Sequence, residues 1–222
     1  MRRKHYWSQA IQAHVQSQKS LYIFVVVLFL TGVVFGAVIV NMLTATQRTG
    51  LSSYLGHFFK ELGRGSIADS EIALQHSIGE HLKTIGLMWL LGLSVIGIPI
   101  LCLFLFFKGM VIGFTVGFLV QQFSWTGLWF AFVSIVPTNL FVIPAMMIVS
   151  VAGVYFSVDL VKNHIIAHRG SLYPKFVSYC GVVVMMACLM MISSLVEAYL
   201  SPMIMRGSLP EIASMLPHLP SV

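Results

Sequence analysis

The groups in this 222-residue chain that could do chemistry by type and spacing are few. His76 and His81 are five positions apart, with His57 upstream. A zinc site needs ligands on one helical face, normally at i and i+4, helped by cysteine or carboxylate. His-Glu-x-x-His is absent, and no metal is expected. His164 and His168 have the i, i+4 spacing, but they stand in a basic stretch whose nearest acid is Asp159 and read as a solvated face. Cys102, Cys180 and Cys188 lie in apolar stretches, and an odd number there reads as small hydrophobes rather than a disulfide framework. There is no P-loop, no Gly-x-Ser-x-Gly, no cofactor fingerprint and no pair of intramembrane carboxylates. Neither catalysis nor a cofactor is expected. Glu197 is the one acid within an apolar run, and such a charge is a functional hypothesis by default. Five residues before Pro202, it reads as an interfacial carboxylate reaching water. The other reading turns it inward, towards Thr138 and Asn139 or Ser193 and Ser194.

The elements that must position these groups follow from composition. The chain is 58% hydrophobic and 9% charged, with a mean hydropathy of +0.90. Soluble domains carry about 25% charged residues, so a water-soluble domain and a disordered chain are both excluded. What remains is an all-α, polytopic membrane bundle. The net charge of +6 suits anionic headgroups and cytoplasmic loops. No basic run interleaved with aromatics suggests nucleic acid.

About five transmembrane helices are expected, over 21–40, 84–107, 109–126, 128–158 and 176–199, within a membrane domain of 21–200. Residues 1–20 are polar and basic, too long for the leading part of a cleaved signal. Trp7, Ala10, Ile11, His14 and Val15 give them an amphipathic helical spacing suited to the cytoplasmic headgroups. Pro137 and Pro144 lie in the fourth span and predict a broken helix, irregular near Pro137, Thr138 and Asn139. A re-entrant element there is the alternative. With the N-terminus inside, the inner segments hold Arg2, Arg3, Lys4, Lys19, Lys108, Lys162, Arg169 and Lys175. The outer ones hold Arg48, Lys60, Arg64, Lys83 and Arg206. This favours a cytoplasmic N-terminus and an extracytoplasmic tail, 201–222.

The long outer loop, 41–83, carries one clear pattern. Leu51, Tyr54, Leu55, Phe58, Phe59 and Leu62 recur at i, i+3, i+4, i+7, i+8 and i+11, an apolar stripe ended by Gly63 and Gly65. It reads as a helix on the outer leaflet or as a docking face for a partner. Asp69 or Ser70 is placed to cap the next helix. Gly32 and Gly36 in the first span, and Gly109, Gly113 and Gly117 in the third, let backbones approach closely. They serve packing within the chain or a homodimer.

The chain resembles the stage II sporulation protein M family of endospore-forming bacteria over nearly its whole length. The resemblance is carried, in order, by Ser20-Leu-Tyr-Ile-Phe, Leu28-Phe-Leu-Thr-Gly-Val-Val-Phe-Gly-Ala, Gln75-His-Ser and Leu87-Met-Trp-Leu-Leu-Gly. It continues through Phe107-Lys-Gly-Met-Val-Ile-Gly-Phe-Thr-Val-Gly-Phe-Leu-Val, Pro137-Thr-Asn-Leu-Phe-Val-Ile-Pro-Ala and Ile192-Ser-Ser-Leu-Val-Glu-Ala-Tyr-Leu-Ser-Pro. Relatives outside sporulation often read Pro-His-Gly-x-x-Glu-x-Pro-Ala at the proline pair. Here Thr138, Asn139 and Val142 replace the His, Gly and Glu, while Glu197 is kept.

The resemblance implies a function that composition does not. Members sit in the mother-cell membrane at the septal and engulfing membrane, in a complex with the peptidoglycan hydrolases, stage II sporulation proteins D and P. They act as the scaffold that recruits and localises those enzymes for engulfment. The competing expectation is a transporter or channel-like subunit using the broken helix and Glu197. The replaced residues at the proline pair weigh against it.

Overall fold

The computed structural model describes residues 18–64, 70–161, 172–200 and 203, with side chains described for 18–57, 71–161, 173–199 and 203. The expected amphipathic segment before Gln18 and the tail apart from Met203 lie outside the described residues. All regular structure among the described residues is helical: α1 Lys19–Ile39, α2 Ala45–Arg64, α3 Ser70–Gly92, α4 Gly97–Asp159 and α5 Leu172–Leu195. A membrane-spanning segment must satisfy its own backbone, which leaves helices as the solution for runs this apolar. By length and hydropathy α1, α4 and α5 each suffice to cross a membrane. At 63 residues α4 is long enough for two crossings.

Short sequence signals set the ends. At the start of α2, Thr44 and Gln47 form a reciprocal capping box. The Thr44 N–H donates to Gln47 Oε1 at 3.0 Å, and the Gln47 N–H lies 3.4 Å from Thr44 Oγ1. Glu71 places a negative charge in the first turn of α3. Between α3 and α4 the chain turns at 93–96. Ser157 caps that turn from across the bundle, donating to the Gly92 carbonyl at 2.7 Å and lying 3.3 Å from that of Ser94.

Pair by pair, the contacts give the direction of each leg. Gly32 lies against Phe106 and Met110, Gly36 against Met110 and Phe114, and Asn41 accepts from Gln121 at 2.6 Å. These pairs ascend together, so α1 runs parallel to the first arm of α4. The arms of α4 fold back on each other at Ser124, whose φ of 50° and ψ of −128° are the one non-helical pair within it. Gly127, just past the bend, sits against the Leu119 carbonyl. Ser77 pairs with Glu197 and Trp89 with Tyr179, so α3 and α5 are antiparallel. Ser193 pairs with Thr138 and Lys175 with Asp159, so the second arm and α5 are antiparallel too. Five legs therefore alternate in direction: α1, α3, the two arms of α4, and α5.

This changes several expected boundaries. The run 84–107 is not one helix. It is cut at 93–96, and the second leg is α3, reaching back to Ser70. The stretch 70–83, expected within an outer loop, is thus inside the bundle, and so is Lys108, expected at an inner loop. The break in α4 falls at Ser124 and not at the prolines, through which the helix stays continuous. Nearby side chains supply bonds around the proline pair. Asn139 Nδ2 donates to the Ile135 carbonyl at 2.9 Å, and Ser193 Oγ to that of Thr138 at 2.8 Å.

The core lies between the legs: Val25 and Phe29 of α1, Ile85 and Met88 of α3, Leu101, Leu105, Val142 and Met146 of α4, and Met186 and Met190 of α5. Exposed hydrophobes such as Val34, Leu103 and Val184 face outward, where a bilayer would cover them. The glycines of the first and third spans interlock. A Cβ on Gly32 would strike the Phe106 carbonyl, one on Gly36 that of Met110, one on Gly109 that of Phe29 and one on Gly113 that of Val33. Gly117 rests on Ala37 at 3.1 Å. All five are spent inside the chain, so this face is not free for a homodimer. The three cysteines are unpaired; Cys102 and Cys180 are half-buried, and Cys188 is exposed on the outer surface.

Candidate functional site

The inward stripe of α3 is Ser77, His81, Ile85 and Met88, at i, i+4, i+8 and i+11. Its far half is apolar and its near half is polar. Opposite the polar half, α5 ends in a π-helical turn, Val196–Leu200, which carries Glu197. π-turns often occur at functional positions. Ser77 Oγ donates to Glu197 Oε2 at 2.6 Å. His81 Nε2 lies 3.8 Å from the same oxygen, and His81 Nδ1 lies 2.9 Å from Ser194 Oγ. Ser194 Oγ in turn reaches the Met190 carbonyl at 3.2 Å. From the first arm of α4, Lys108 interacts electrostatically with both Glu197 and His81. The result is a polar cluster shared by α3, α4 and α5. His81 stands roughly 16 Å along α3 from Ser70 and about as far from Gly92, near mid-height.

Its charges nearly balance. Lys108 and Glu197 cancel, and a neutral His81 adds nothing. Two hydrogen-bond arrangements fit the geometry, both with an Nε2–H facing Glu197. In the first, Ser194 donates to Nδ1 and the imidazole is neutral. In the second, Ser194 donates to the Met190 carbonyl, Nδ1–H donates to Ser194, and the ring is an imidazolium. They differ by one proton taken up at Nδ1 and by rotation of the Ser194 hydroxyl. The 3.8 Å separation from Glu197 exceeds a direct hydrogen bond and is within ion-pair range when the ring is charged. Glu197 remains 44% exposed, so the cluster is open on that side.

Of the residues singled out from sequence, Glu197 and Ser194 meet here, while Ser193 bonds instead to the Thr138 carbonyl of α4. Asn139 turns back onto its own helix and borders an apolar crevice between the arms of α4. His76 is exposed on the opposite side of α3 from His81, and among the described residues no three His, Cys, Asp or Glu side chains converge as metal ligands do. Spacing offered His81 only as a metal ligand beside His76, and gave no sign of Ser77 or of Lys108 at this site. The signal for Ser77 and His81 is their i, i+4 continuation of the apolar stripe Ile85 and Met88.

The expected docking stripe lies on α2, which packs closely against no other helix among the described residues. Leu51, Tyr54 and Leu55 border an apolar cleft of about 610 Å³ facing Phe114, Phe118 and Phe130 at the hairpin tip of α4. Leu51 and Leu55 are half-buried, while Tyr54 is 78% exposed. Phe58, Phe59 and Leu62 continue the stripe along the helical backbone, and their side chains lie outside the described residues.

No curated protein and no solved structure matches the chain. The family of stage II sporulation protein M matches it over residues 25–202, from within α1 to beyond the π-turn that carries Glu197. That match covers the helical bundle and the polar cluster together, and the chain belongs to the stage II sporulation protein M family, a family of sporulation membrane proteins.

Proposed function

We propose that this protein is a non-enzymatic membrane scaffold for forespore engulfment, which recruits and localises the peptidoglycan hydrolases, stage II sporulation proteins D and P. The observation that carries the reading is α2. It is a 20-residue amphipathic helix at one end of the bundle, packed closely on no other helix among the described residues, with Tyr54 exposed and its neighbours along an open apolar cleft. A helix of that kind gives a partner both a face and a groove. Family membership supports the link to sporulation.

The scaffold sits in the mother-cell septal and engulfing membrane, with α2 on the cell-wall side. Positive charge supports that orientation. Lys83 and Lys108 fall within the legs and drop out of the comparison. Seven cations remain in the segments at the Lys19 end (Arg2, Arg3, Lys4, Lys19, Lys162, Arg169 and Lys175), against four at the α2 end (Arg48, Lys60, Arg64 and Arg206).

Co-purification from sporulating cells in mild detergent tests the reading, with this protein as bait and the two hydrolases as prey. Both are recovered with the native chain and lost with Tyr54→Ser or with Phe58→Ser and Phe59→Ser together. Unchanged recovery from those variants, each inserted normally in the membrane, sinks α2 as the docking face. Failure with the native bait, with both hydrolases present in the extract, sinks the scaffold. The second reading, a transporter or channel-like subunit, is favoured by the polar cluster near mid-height. Liposome flux with Glu197→Gln as control tests it.

A further inference from the structure

The outward face of α3 carries an exposed pair of opposite charges. Lys83 and Glu80 are 78% and 56% exposed and lie 3.3 Å apart. Lys83 is nine residues from Gly92, roughly 14 Å from that end of a leg about 34 Å long. His81, between Glu80 and Lys83 in sequence, contacts Ser194 of α5, which lies inside the apolar run Tyr173–Tyr199 that is long enough to cross a membrane, so both charges stand at the height of that run. Charged side chains at that height almost always face protein or a water-filled cavity. Nothing among the described residues covers them.

The rest of the face has the form of a helix–helix seam. Ile72, His76, Gly79, Lys83, Gly86 and Leu90 alternate by four and three, the spacing of the contact positions of a coiled coil. Ile72 and Leu90 are 60% and 58% exposed, and a Cβ built on Gly79 or Gly86 meets nothing within 4 Å. The two glycines leave room for a second backbone at the depth of the charges.

We infer that this face of α3 is the interface with a second copy of the same chain. The charge pattern selects the occupant. Glu80 and Lys83 present both signs one turn apart, so the surface is its own complement about a two-fold axis along the membrane normal. Lys83 of each copy crosses the glycine at position 79 of the other and reaches its Glu80. Two intrahelical pairs become an alternating group of four charges shut away from lipid. The interface stands whether or not the hydrolases bind, and it is distinct from the α1 glycines, which are already occupied.

Single-cysteine scanning tests this in native membranes, on the full chain with Cys102, Cys180 and Cys188 replaced by Ser. Cysteine at Ile72, Gly79, Gly86 or Leu90 gives a disulfide dimer of twice the chain mass. The yield exceeds that from the buried control Ile85→Cys by about fivefold or more. In the Leu90→Cys background, Lys83→Glu lowers the yield by about fivefold, and adding Glu80→Lys restores it. Yields no higher at the seam than at Ile85 overturn the interface. So does an adduct of another mass, which assigns the face to a different membrane helix. A charge swap that fails to restore the dimer overturns self-complementarity. If Lys83→Glu does not accumulate, the scan in otherwise native sequence decides.

Discussion

Two sets of glycines in this bundle look alike in sequence and do different things. Those of α1 and the first arm of α4 are closed: each lies against a backbone of the facing helix, with no space for a methyl group. Gly79 and Gly86 of α3 are open. The same contrast divides the two faces of α3. Its inner polar groups, Ser77 and His81, are bonded to α5, while among the described residues the outer charges of Glu80 and Lys83 form an ion pair with each other. Small and polar residues thus mark contact in a membrane helix, but only the neighbour tells whether that contact has been made.

Substitutions that separate the closed set from the open one give the largest effects. Gly113→Leu, driving a side chain into the Val33 carbonyl, is expected to cost more than about 3 kcal/mol and to stop the protein accumulating. Unfolding by SDS in mixed micelles, with membrane yield beside it, reads this. A Gly113→Leu chain of native stability breaks the idea that α1 is held by interlocked glycines.

Glu197→Ala strips the acceptor from Ser77 and the partner from His81, at a cost of about 2 kcal/mol. Glu197→Gln keeps an acceptor for Ser77 and is expected to cost about half as much. Equal losses for the two would show that charge, not hydrogen bonding, joins α3 to α5. Glu197→Gln is also the control that separates transport from scaffolding, so its unfolding midpoint has to be measured beside any flux.

Ser157→Ala uncovers the Gly92 and Ser94 carbonyls at the turn between α3 and α4, for about 1 kcal/mol in the same assay. At the opposite turn the sign reverses. Ser124 holds a positive φ, and Ser124→Gly is expected to stabilise the hairpin by about 1 kcal/mol. A loss there would mean that the Ser124 side chain contributes more than its backbone strain costs. The smallest effect belongs to the open set. Gly86→Ala changes monomer stability by no more than about 0.5 kcal/mol, because its Cβ enters empty space. Its dimer yield is the more sensitive readout.

The class of the molecule was legible in the residues. A chain with 9% charge can only fold in a bilayer, and in a bilayer these runs can only be helices. The glycine spacings were legible as packing faces, as was the helical stripe of α2, whose capping box starts it at Ala45. The helix boundaries and the site were not. Spans sought as uncharged runs end at Lys83 and at Lys108, yet both lysines stand inside legs. A helix can cross a membrane with polar residues when another helix presents their partners, and composition is blind to partners. Only the fold could bring Ser77 and Glu197 together, 120 positions apart. It likewise placed the bend at Ser124 and kept the helix continuous through Pro137 and Pro144.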